Sequence, residues 1–345
     1  MQADQIKAAL QNWQEIVRDY QKPNKVKAVI QLLNSFLPFI GIWILMYLSL
    51  SWSYWITLGL GVVNAFFMVR IFIIQHDCGH QSFLKSRKVN NAIGFFCSMF
   101  SLIPYRYWAR SHNFHHAHNG QFENRDIGDI TTLTVKEYQA LSSWGQFKYR
   151  LYRSPLIMFL VGPVYYLLIH NRLPLIKFKG WSKERRSVVV SNYVYLAVYL
   201  TLGFLIGWKT FLLIQAPIIV FFAMIAIWFF YVQHQHDPNY KNWKENWEYL
   251  LAAIRGSSYY KLPKVMQWLT GNIGFHHIHH LSSLIPNYNL ERCNKDNPVF
   301  EKHTTVLTFR SSLKCIFHKL WDEESQRMIS FREYARIYTS SLKAA

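Results

Sequence analysis

The fold of this chain depends first on residues 54–80, YWITLGLGVVNAFFMVRIFIIQHDCGH. Residues 54–74 carry one charged side chain, Arg70, over about the 20 residues that a helix needs to cross a bilayer. His76 and His80 follow four residues apart, so a continuous helix would present both on one face. The stretch therefore predicts a membrane-spanning helix that ends in a pair of imidazoles.

Three further apolar segments have a similar length. Residues 28–50 precede the span at 54–74 with a loop of only three residues, and residues 187–207 and 211–232 form a second close pair. Each segment is about 20 residues long, which is enough for one crossing. The sequence therefore predicts an all-α membrane protein with four transmembrane helices arranged as two hairpins.

Charge placement predicts the orientation of the hairpins. The chain has 38 Lys plus Arg against 19 Asp plus Glu, a formal net charge of +19. The two loops inside the hairpins contain one basic residue, Lys209, whereas nearly all others lie at the termini and between the hairpins. Because basic loops favour the cytoplasmic side, both termini and the histidine-rich polar regions are expected in the cytoplasm. Two shorter segments, residues 91–104 and 154–169, contain or adjoin proline and are expected to be interfacial or re-entrant helices.

The chain is expected to divide into three parts. These are a cytoplasmic amphipathic N-terminal segment at 1–27, a membrane domain at 28–293 and a cytoplasmic tail at 294–345. Within the first part, residues 1–22 have the apolar spacing of one amphipathic helix, which lies either on the protein surface or on the bilayer. Arg70 is expected to extend its side chain to the membrane interface.

Composition excludes several classes of protein. Hydrophobic residues make up 51% of the chain and are bunched into long runs, unlike those of a disordered chain. The four cysteines form no C-x-x-C pair, which excludes a zinc ribbon and a disulfide framework. The positive charge is spread along membrane-flanking segments, which argues against nucleic-acid binding. The first 27 residues lack the apolar core of a signal peptide.

Histidines are the candidate functional residues, and 12 of the 15 fall in four groups. The spacing H-x-x-x-H at 76–80, and H-x-x-H-H at 112–116 and 276–280, places imidazoles on one face of a helix. A single zinc ion takes four ligands, so eight converging imidazoles imply two metal ions, although imidazole alone does not identify the metal. The eight candidate ligands are His76, His80, His112, His115, His116, His276, His279 and His280.

Other polar residues near these motifs have weaker assignments. Three histidines are expected to be structural or to support the ligands: His118, His236 and His277. Three more are expected to be incidental: His170, His303 and His318. Four carboxylates either orient ligand imidazoles or cap loops, and both interpretations stay open: Asp77, Asp126, Asp129 and Asp237.

The three motifs resemble the histidine boxes of the integral-membrane fatty acid desaturases. The boxes read H-D-C-G-H, H-N-F-H-H and H-H-I-H-H here, in the family's order, and the resemblance runs from about residue 30 to about residue 293. The flanking sequences Q-H-D-C-G-H-Q-S-F, R-D-I-G-D-I and F-Y-V-Q-H-Q-H are most similar to those of bacterial acyl-lipid desaturases. The family also uses a ninth histidine near the end of the fourth span, which His234 matches better than His236.

The resemblance implies a non-haem centre of two iron ions and the O2-dependent removal of two hydrogens from an acyl chain of a membrane lipid. It implies no catalytic residue beyond the metal ligands, and a bacterial inner membrane as the location. Tyr105, Tyr107 and Trp108 would line an acyl tunnel or simply pack, and both interpretations stay open. The sequence has no iron–sulfur cysteine cluster and no nucleotide fingerprint, so electrons are expected from a separate ferredoxin or cytochrome. The oligomeric state is left open.

The sequence is also compatible with two other functions. A di-iron hydroxylase or oxygenase of the same superfamily would have similar ligands and would form an alcohol. A metal transporter or binding protein would place ionisable side chains inside the spans, where this sequence has almost none. A zinc protease is disfavoured because Asp77 stands where H-E-x-x-H requires glutamate.

Overall fold

The computed structural model describes residues 2–176 and 178–339, which are mostly helical. The α-helices of these residues, in chain order, are α1 Gln2–Ala9, α2 Trp13–Arg18, α3 Lys25–Ser49, α4 Tyr54–Gly79, α5 Arg87–Ser101, α6 Tyr105–His118, α7 Val135–Ala140, α8 Ser143–Tyr152, α9 Gly162–Leu168, α10 Ser182–Ile206, α11 Trp208–His234, α12 Tyr249–Arg255, α13 Lys264–Leu269, α14 His276–Leu281, α15 Asn287–Asp296, α16 Pro298–Lys302, α17 Phe309–Ser312 and α18 Phe331–Tyr334. The strands are β1 Ser258–Tyr260, β2 Thr305–Leu307, β3 Leu320–Asp322 and β4 Arg327–Ile329. Single 3-10 or π-helical turns lie at Phe122–Asn124, Ile157–Val161, His170–Arg172, Lys244–Asn246, Leu313–Phe317 and Ala335–Thr339.

Four helices of the described chain, α3, α4, α10 and α11, are long and apolar enough to cross a membrane. They contain 25 to 27 residues, so each is roughly 38–40 Å long and exceeds the hydrocarbon thickness of about 30 Å. Helix α4 packs against α3, α5 and α11 and is the most buried of the four, whereas α3 and α10 expose apolar side chains along their length. The predicted all-α membrane protein with four spanning helices is confirmed.

The spanning helices form the two expected hairpins. Residues 50–53 connect α3 to α4, and Gly207 is the single residue between α10 and α11. Gly207 has a φ of +87°, a conformation that side chains with a Cβ rarely adopt, so glycine permits this abrupt reversal. Helices α4 and α11 consequently carry their histidines at the ends that lie away from these loops.

The two short apolar segments differ from each other. Most of 91–104 lies in α5, whose 15 residues are too few to span a bilayer and which packs against α4. The segment 154–169 continues into α9, and this stretch is bent by 54° from α8. If α8 and the bent stretch crossed together, they would add a fifth span and place the C-terminal ends of α4 and α11 on opposite sides of the membrane. Imidazoles at both of these ends contact imidazoles of α6, so the bend fits the predicted re-entrant helix better.

The single N-terminal helix predicted over 1–22 is wrong. The structure has two short helices, α1 and α2, separated by a turn. Ile6, Leu10 and Val17 are buried in one cluster with residues of α12 and α14, so their apolar face packs on the protein. This burial ties the N-terminal segment to the helix that bears the third histidine motif.

The expectation that Arg70 reaches the membrane interface is also wrong. Its side chain is buried and donates hydrogen bonds to Asn34 Oδ1 at 2.8 Å, to Ser35 Oγ at 3.2 Å and to the carbonyl of Trp268. The guanidinium also lies 4.0 Å from the centre of the Trp268 ring. Arg70 therefore joins α3 and α4 to the end of α13, because buried donors must find acceptors inside the protein.

The residues expected to form a tail pack into the rest of the fold as far as 339. Strand β2 pairs in parallel with β1, and β3 pairs antiparallel with β4. The fully buried Arg153 donates to Gln235 Oε1 at 2.8 Å and to the carbonyl of His318 at 2.9 Å, which joins this region to the end of α11. The division of the chain at 27 and 293 stays a prediction.

Cysteine labelling distinguishes four spans from five. The native cysteines are all buried, so Ser51→Cys and Glu324→Cys each add one accessible thiol. With four spans, the two positions lie on opposite sides of the membrane, and a membrane-impermeant maleimide labels only one of them in intact cells. Labelling of both from the same side would show that the bent stretch crosses the bilayer.

Helices α5 and α6 are in close contact at Gly94. Gly94 lies against the ring of Tyr105, and a Cβ at this position would overlap that ring. Gly94→Ala is expected to destabilise the protein by about 1–3 kcal/mol, the usual cost of overpacking, and to lower its thermal unfolding temperature in detergent. Gly41→Ala is the matched control because a Cβ at that position would have no other atom within 4 Å. Equal unfolding temperatures for the two variants would contradict this packing.

Candidate metal centre

Four helix ends bring the predicted histidines together. Helix α4 carries His76 near its C-terminus and is capped by His80, while α11 ends at His234. Helices α6 and α14 supply the other two motifs. The nine side chains are each at most 9% exposed and are His76, His80, His112, His115, His116, His234, His276, His279 and His280.

The histidines separate into two groups. One nitrogen from each of five imidazoles lies within 4.8 Å of the others in the first group, which comprises His76, His80, His112, His116 and His279. The second group contains His115, His234 and His280, again within 4.8 Å of one another. His276 adjoins the second group, since its Nε2 lies 2.9 Å from that of His234 and 3.1 Å from that of His280.

Each H-x-x-H-H motif contributes to both groups. In α6, His112 and His116 are one turn apart and join the first group, whereas His115 points to the second. In α14 the pattern is reversed, because His279 joins the first group and His280 the second. The rings of His116 and His280 are stacked with their centroids 4.1 Å apart, so the two groups are in direct contact.

Burial favours the neutral form of the clustered imidazoles in α6 and α14. The pKa values of His112, His116, His279 and His280 lie well below the usual range, first because burial penalises the charged ring and then because neighbouring imidazoles repel a second charge. Neutral imidazole is the form that donates a lone pair to a metal ion. The environment therefore favours the protonation state that metal binding requires.

The donor atoms fit metal ions. Nε2 of His76 and Nε2 of His279 are buried without a hydrogen-bond partner among the described residues. Other pairs of Nε2 atoms lie 2.9 to 3.3 Å apart. Two nitrogens that each lie about 2.0–2.1 Å from one metal ion are separated by roughly 2.9–3.4 Å, so the observed distances are close to those of metal ligands. A metal ion can bind all the nitrogen lone pairs that converge at this distance, whereas a proton can be shared by only two nitrogens.

Asp77 orients one of the ligands. Its Oδ1 accepts a hydrogen bond from His76 Nδ1 at 3.1 Å, which leaves Nε2 of that ring for a metal. Its Oδ2 accepts from both the backbone and side-chain nitrogens of Asn287 at 2.7 Å, and Gln31 in turn donates to Asn287 Oδ1 at 3.0 Å. Asn287 and Gln31 carry no sequence signal for this role, because they stand far from the first box in the chain.

Within the described residues, the other three carboxylates make no hydrogen bond to a clustered histidine. Burial lowers the pKa of His115, and the charge of Asp129 opposes this shift. Asp126 accepts from Thr131 Oγ1 at 2.8 Å, and Asp129 accepts from the adjacent backbone nitrogen of Ile130 at 2.6 Å. Asp237 accepts from the backbone nitrogen of Met328 at 3.2 Å. These contacts match the loop-capping interpretation.

Two of the remaining histidines clarify the end of α11. His236 donates from Nδ1 to the carbonyl of Pro238 at 2.8 Å and stays outside both groups, whereas His234 lies inside the second. His318, expected to be incidental, donates from Nδ1 to the carbonyl of Gln235 at 3.0 Å. It therefore supports the backbone directly after His234, a role that only the folded chain reveals.

The aromatic residues before the second box pack around the centre. Tyr105 donates from its hydroxyl to the carbonyl of Cys78 at 2.8 Å, and the Tyr107 hydroxyl accepts from the backbone nitrogen of Ile176 at 2.8 Å. The Trp108 ring stacks on His112 with centroids 4.6 Å apart. Their contacts fit the packing interpretation and hold the ligand-bearing helix α6 in place.

The order and spacing of these motifs agree with a known family. A family model described as fatty acid desaturase matches residues 52–311, which include all nine clustered histidines. The chain belongs to the fatty acid desaturase family. It is 45% identical to a fatty acid desaturase of Bacillus subtilis (strain 168), over 94% of this chain and 91% of that relative.

Cyanobacterial relatives are more distant. An sn-1 acyl-lipid omega-3 desaturase (ferredoxin) of Nostoc sp. (strain 36) is 29% identical over 73% of this chain and 69% of its own length. An sn-1 oleoyl-lipid 12-desaturase of Anabaena variabilis is 27% identical over 77% of this chain and 75% of its own length. This desaturase is therefore a membrane-bound oxidoreductase with a histidine cluster suited to metal.

Because Asp77 orients the ring of His76, substitution of Asp77 is expected to weaken metal binding. Asp77→Asn removes the negative charge that holds Nδ1 of His76, and the apparent metal affinity is expected to fall about 10- to 100-fold. Asp126→Asn, which changes an exposed carboxylate bonded to Thr131, is the matched control. Metal content per chain after dialysis against graded chelator concentrations measures both variants, and equal retention would contradict the role assigned to Asp77.

Proposed function

We propose that this desaturase inserts a double bond into an acyl chain of a membrane lipid, using O2 at two iron ions held by nine imidazoles. The observation that carries the proposal is the separation of the histidines into adjoining groups of five and four. Each group would hold one iron ion. When bound, the ions would activate O2 to break C–H bonds of methylenes, which are too weakly acidic for a protein base to deprotonate.

The overall reaction balances with external electrons. Two hydrogens leave adjacent methylenes, and together with two electrons from a donor, two protons and one O2 they yield the double bond and two waters. The described residues include four free, buried cysteines and no cysteine cluster for iron–sulfur binding. Electrons therefore come from a separate protein in this proposal, and the ferredoxin named for the Nostoc relative supports a ferredoxin-type donor.

The protein contributes a rigid, water-poor ligand cage. The nine imidazoles are buried and lie at the ends of helices, so their positions are set by packed backbone rather than by loops. Both metal-ligand groups found in the described chain consist of histidine alone. Asp77 influences the centre only through His76, because its two oxygens are occupied by that ring and by Asn287.

The proposed location is a bacterial cytoplasmic membrane with the histidine centre facing the cytoplasm. The support is the concentration of Lys and Arg in the regions at the histidine ends of the spans, together with the similarity to the Bacillus relative. The net charge of +19 on this chain also suits an acidic electron carrier.

Fatty acid profiling tests the proposal. Expression in a bacterial host without desaturases, with a ferredoxin and its reductase, is expected to give new unsaturated fatty acids in the membrane lipids under air and none without O2. His115→Ala should abolish them, because it removes a member of the smaller group. Gas chromatography–mass spectrometry measures the products and locates the double bond.

The matched control is a histidine three residues along the same helix. His118 lies outside both groups and bonds to the carbonyl of Phe114 at 2.9 Å, so His118→Ala should keep most of the activity. Hydroxylated fatty acids instead of alkenes would replace the proposal with the related oxygenase. Unchanged products in His115→Ala would exclude the smaller group from catalysis.

A further inference from the structure

A cavity of about 720 Å³ adjoins the outer side of the metal centre. Its lining includes Gly79, which precedes His80, and Asn113, which follows His112. A smaller cavity of about 300 Å³ shares Arg106 with it. The two cavities together form what we call the double cavity, between the end of α4, the helices α5 and α6, and the start of α10.

The double cavity is strongly basic. Five cationic side chains line it: Arg87, Arg106, Arg110, Lys183 and Arg186. Glu184 is the one carboxylate among the lining residues, and it pairs with Arg110 at 3.2 Å. The other four cations make no side-chain hydrogen bond or ion pair within the described chain, so they are available to an anionic ligand.

The cationic side chains of the double cavity lie where the protein meets the bilayer. Lys183 and Arg186 are in the first two turns of α10, at the end of this spanning helix that lies nearer the histidines. Further along α10, Val190 also lines the smaller cavity and is 49% exposed. Phe95 provides a second apolar side chain in this lining. The surface thus changes from cationic to apolar along the direction in which a lipid molecule would lie.

We propose that the double cavity binds the phosphodiester of a membrane phospholipid whose acyl chain is the substrate. Arginine side chains suit phosphate oxygens, and the adjoining apolar wall suits the acyl chains of the same molecule. Free phosphate would leave that apolar wall without a function. The inference rests on the proposed function in one respect, namely that the substrate is lipid-linked.

The position of the double cavity gives this binding a purpose. Gly79 and Asn113 are direct chain neighbours of ligands in the five-histidine group, so a headgroup held here is anchored beside the reaction centre. Anchoring would select intact phospholipid from other acyl carriers. Binding of the headgroup would raise the affinity for the substrate and leave the metal ligands unchanged.

Lipid binding tests the inference without turnover. The purified protein in neutral detergent is titrated with phosphatidylglycerol, and bound lipid is counted by native mass spectrometry. The double variant Arg106→Gln/Arg186→Gln is expected to lower the affinity roughly 10- to 30-fold, because it removes two positive charges beside the anionic headgroup. Lys136→Gln/Lys148→Gln removes the same charge from exposed positions outside the cavity and should bind like the wild type.

Two further arms identify the ligand and guard against misfolding. Diacylglycerol with the same chains should bind weakly and equally to all forms, and excess inorganic phosphate should not displace phosphatidylglycerol. Arg186→Glu alone, at an exposed residue, should also weaken binding while metal content stays at the wild-type level. The metal content shows that the fold is intact.

The contradicting results are distinct from a failure of the proposed function. Equal loss of binding in the control pair, or wild-type binding in Arg106→Gln/Arg186→Gln, would overturn the headgroup site even if the enzyme desaturates lipids. Displacement of the lipid by free phosphate, or by acyl-coenzyme A at lower concentration, would assign the cavity to that ligand instead. The readout is binding alone, so an inactive but lipid-selective protein still supports the site.

Discussion

The ring nitrogens of nine histidines meet in one buried volume, and the rest of the structure is arranged around this convergence. A buried polar atom left without a partner costs about 1–3 kcal/mol, so cations that share these lone pairs would stabilise a cluster of this size. The helices α4, α6, α11 and α14 must therefore end at the same level. The membrane hairpins meet that requirement by holding α4 and α11 side by side.

Support for the centre extends into the membrane helices. Gln31, on the lipid-facing helix α3, is linked through Asn287 and Asp77 to His76. Arg70 joins α3 and α4 to α13, a few residues before the third histidine motif. Arg153 and His318 hold Gln235 from the other side. The ligand positions thus depend on contacts between segments that are distant in the chain.

Local features of the sequence predicted the spans and the ligand candidates. Runs of about 20 apolar residues suffice to indicate spanning helices, and spacings of three and four residues suffice to indicate imidazoles on one helix face. The partition of His115 and His116 between two groups depends on how α6 is rotated against α14, which no local pattern records. The same holds for Arg70, where charge and position suggested the interface but buried acceptors on α3 and α13 bind it instead.

Each of the two histidine groups is expected to hold one iron ion, and the proposed chemistry depends on both. An anomalous difference map, measured at the iron absorption edge from crystals of the iron-loaded protein, would locate the ions. Two peaks are expected, one among the five histidines around His279 and one among the four around His234. A single peak, or a peak at His236 outside both groups, would contradict this assignment.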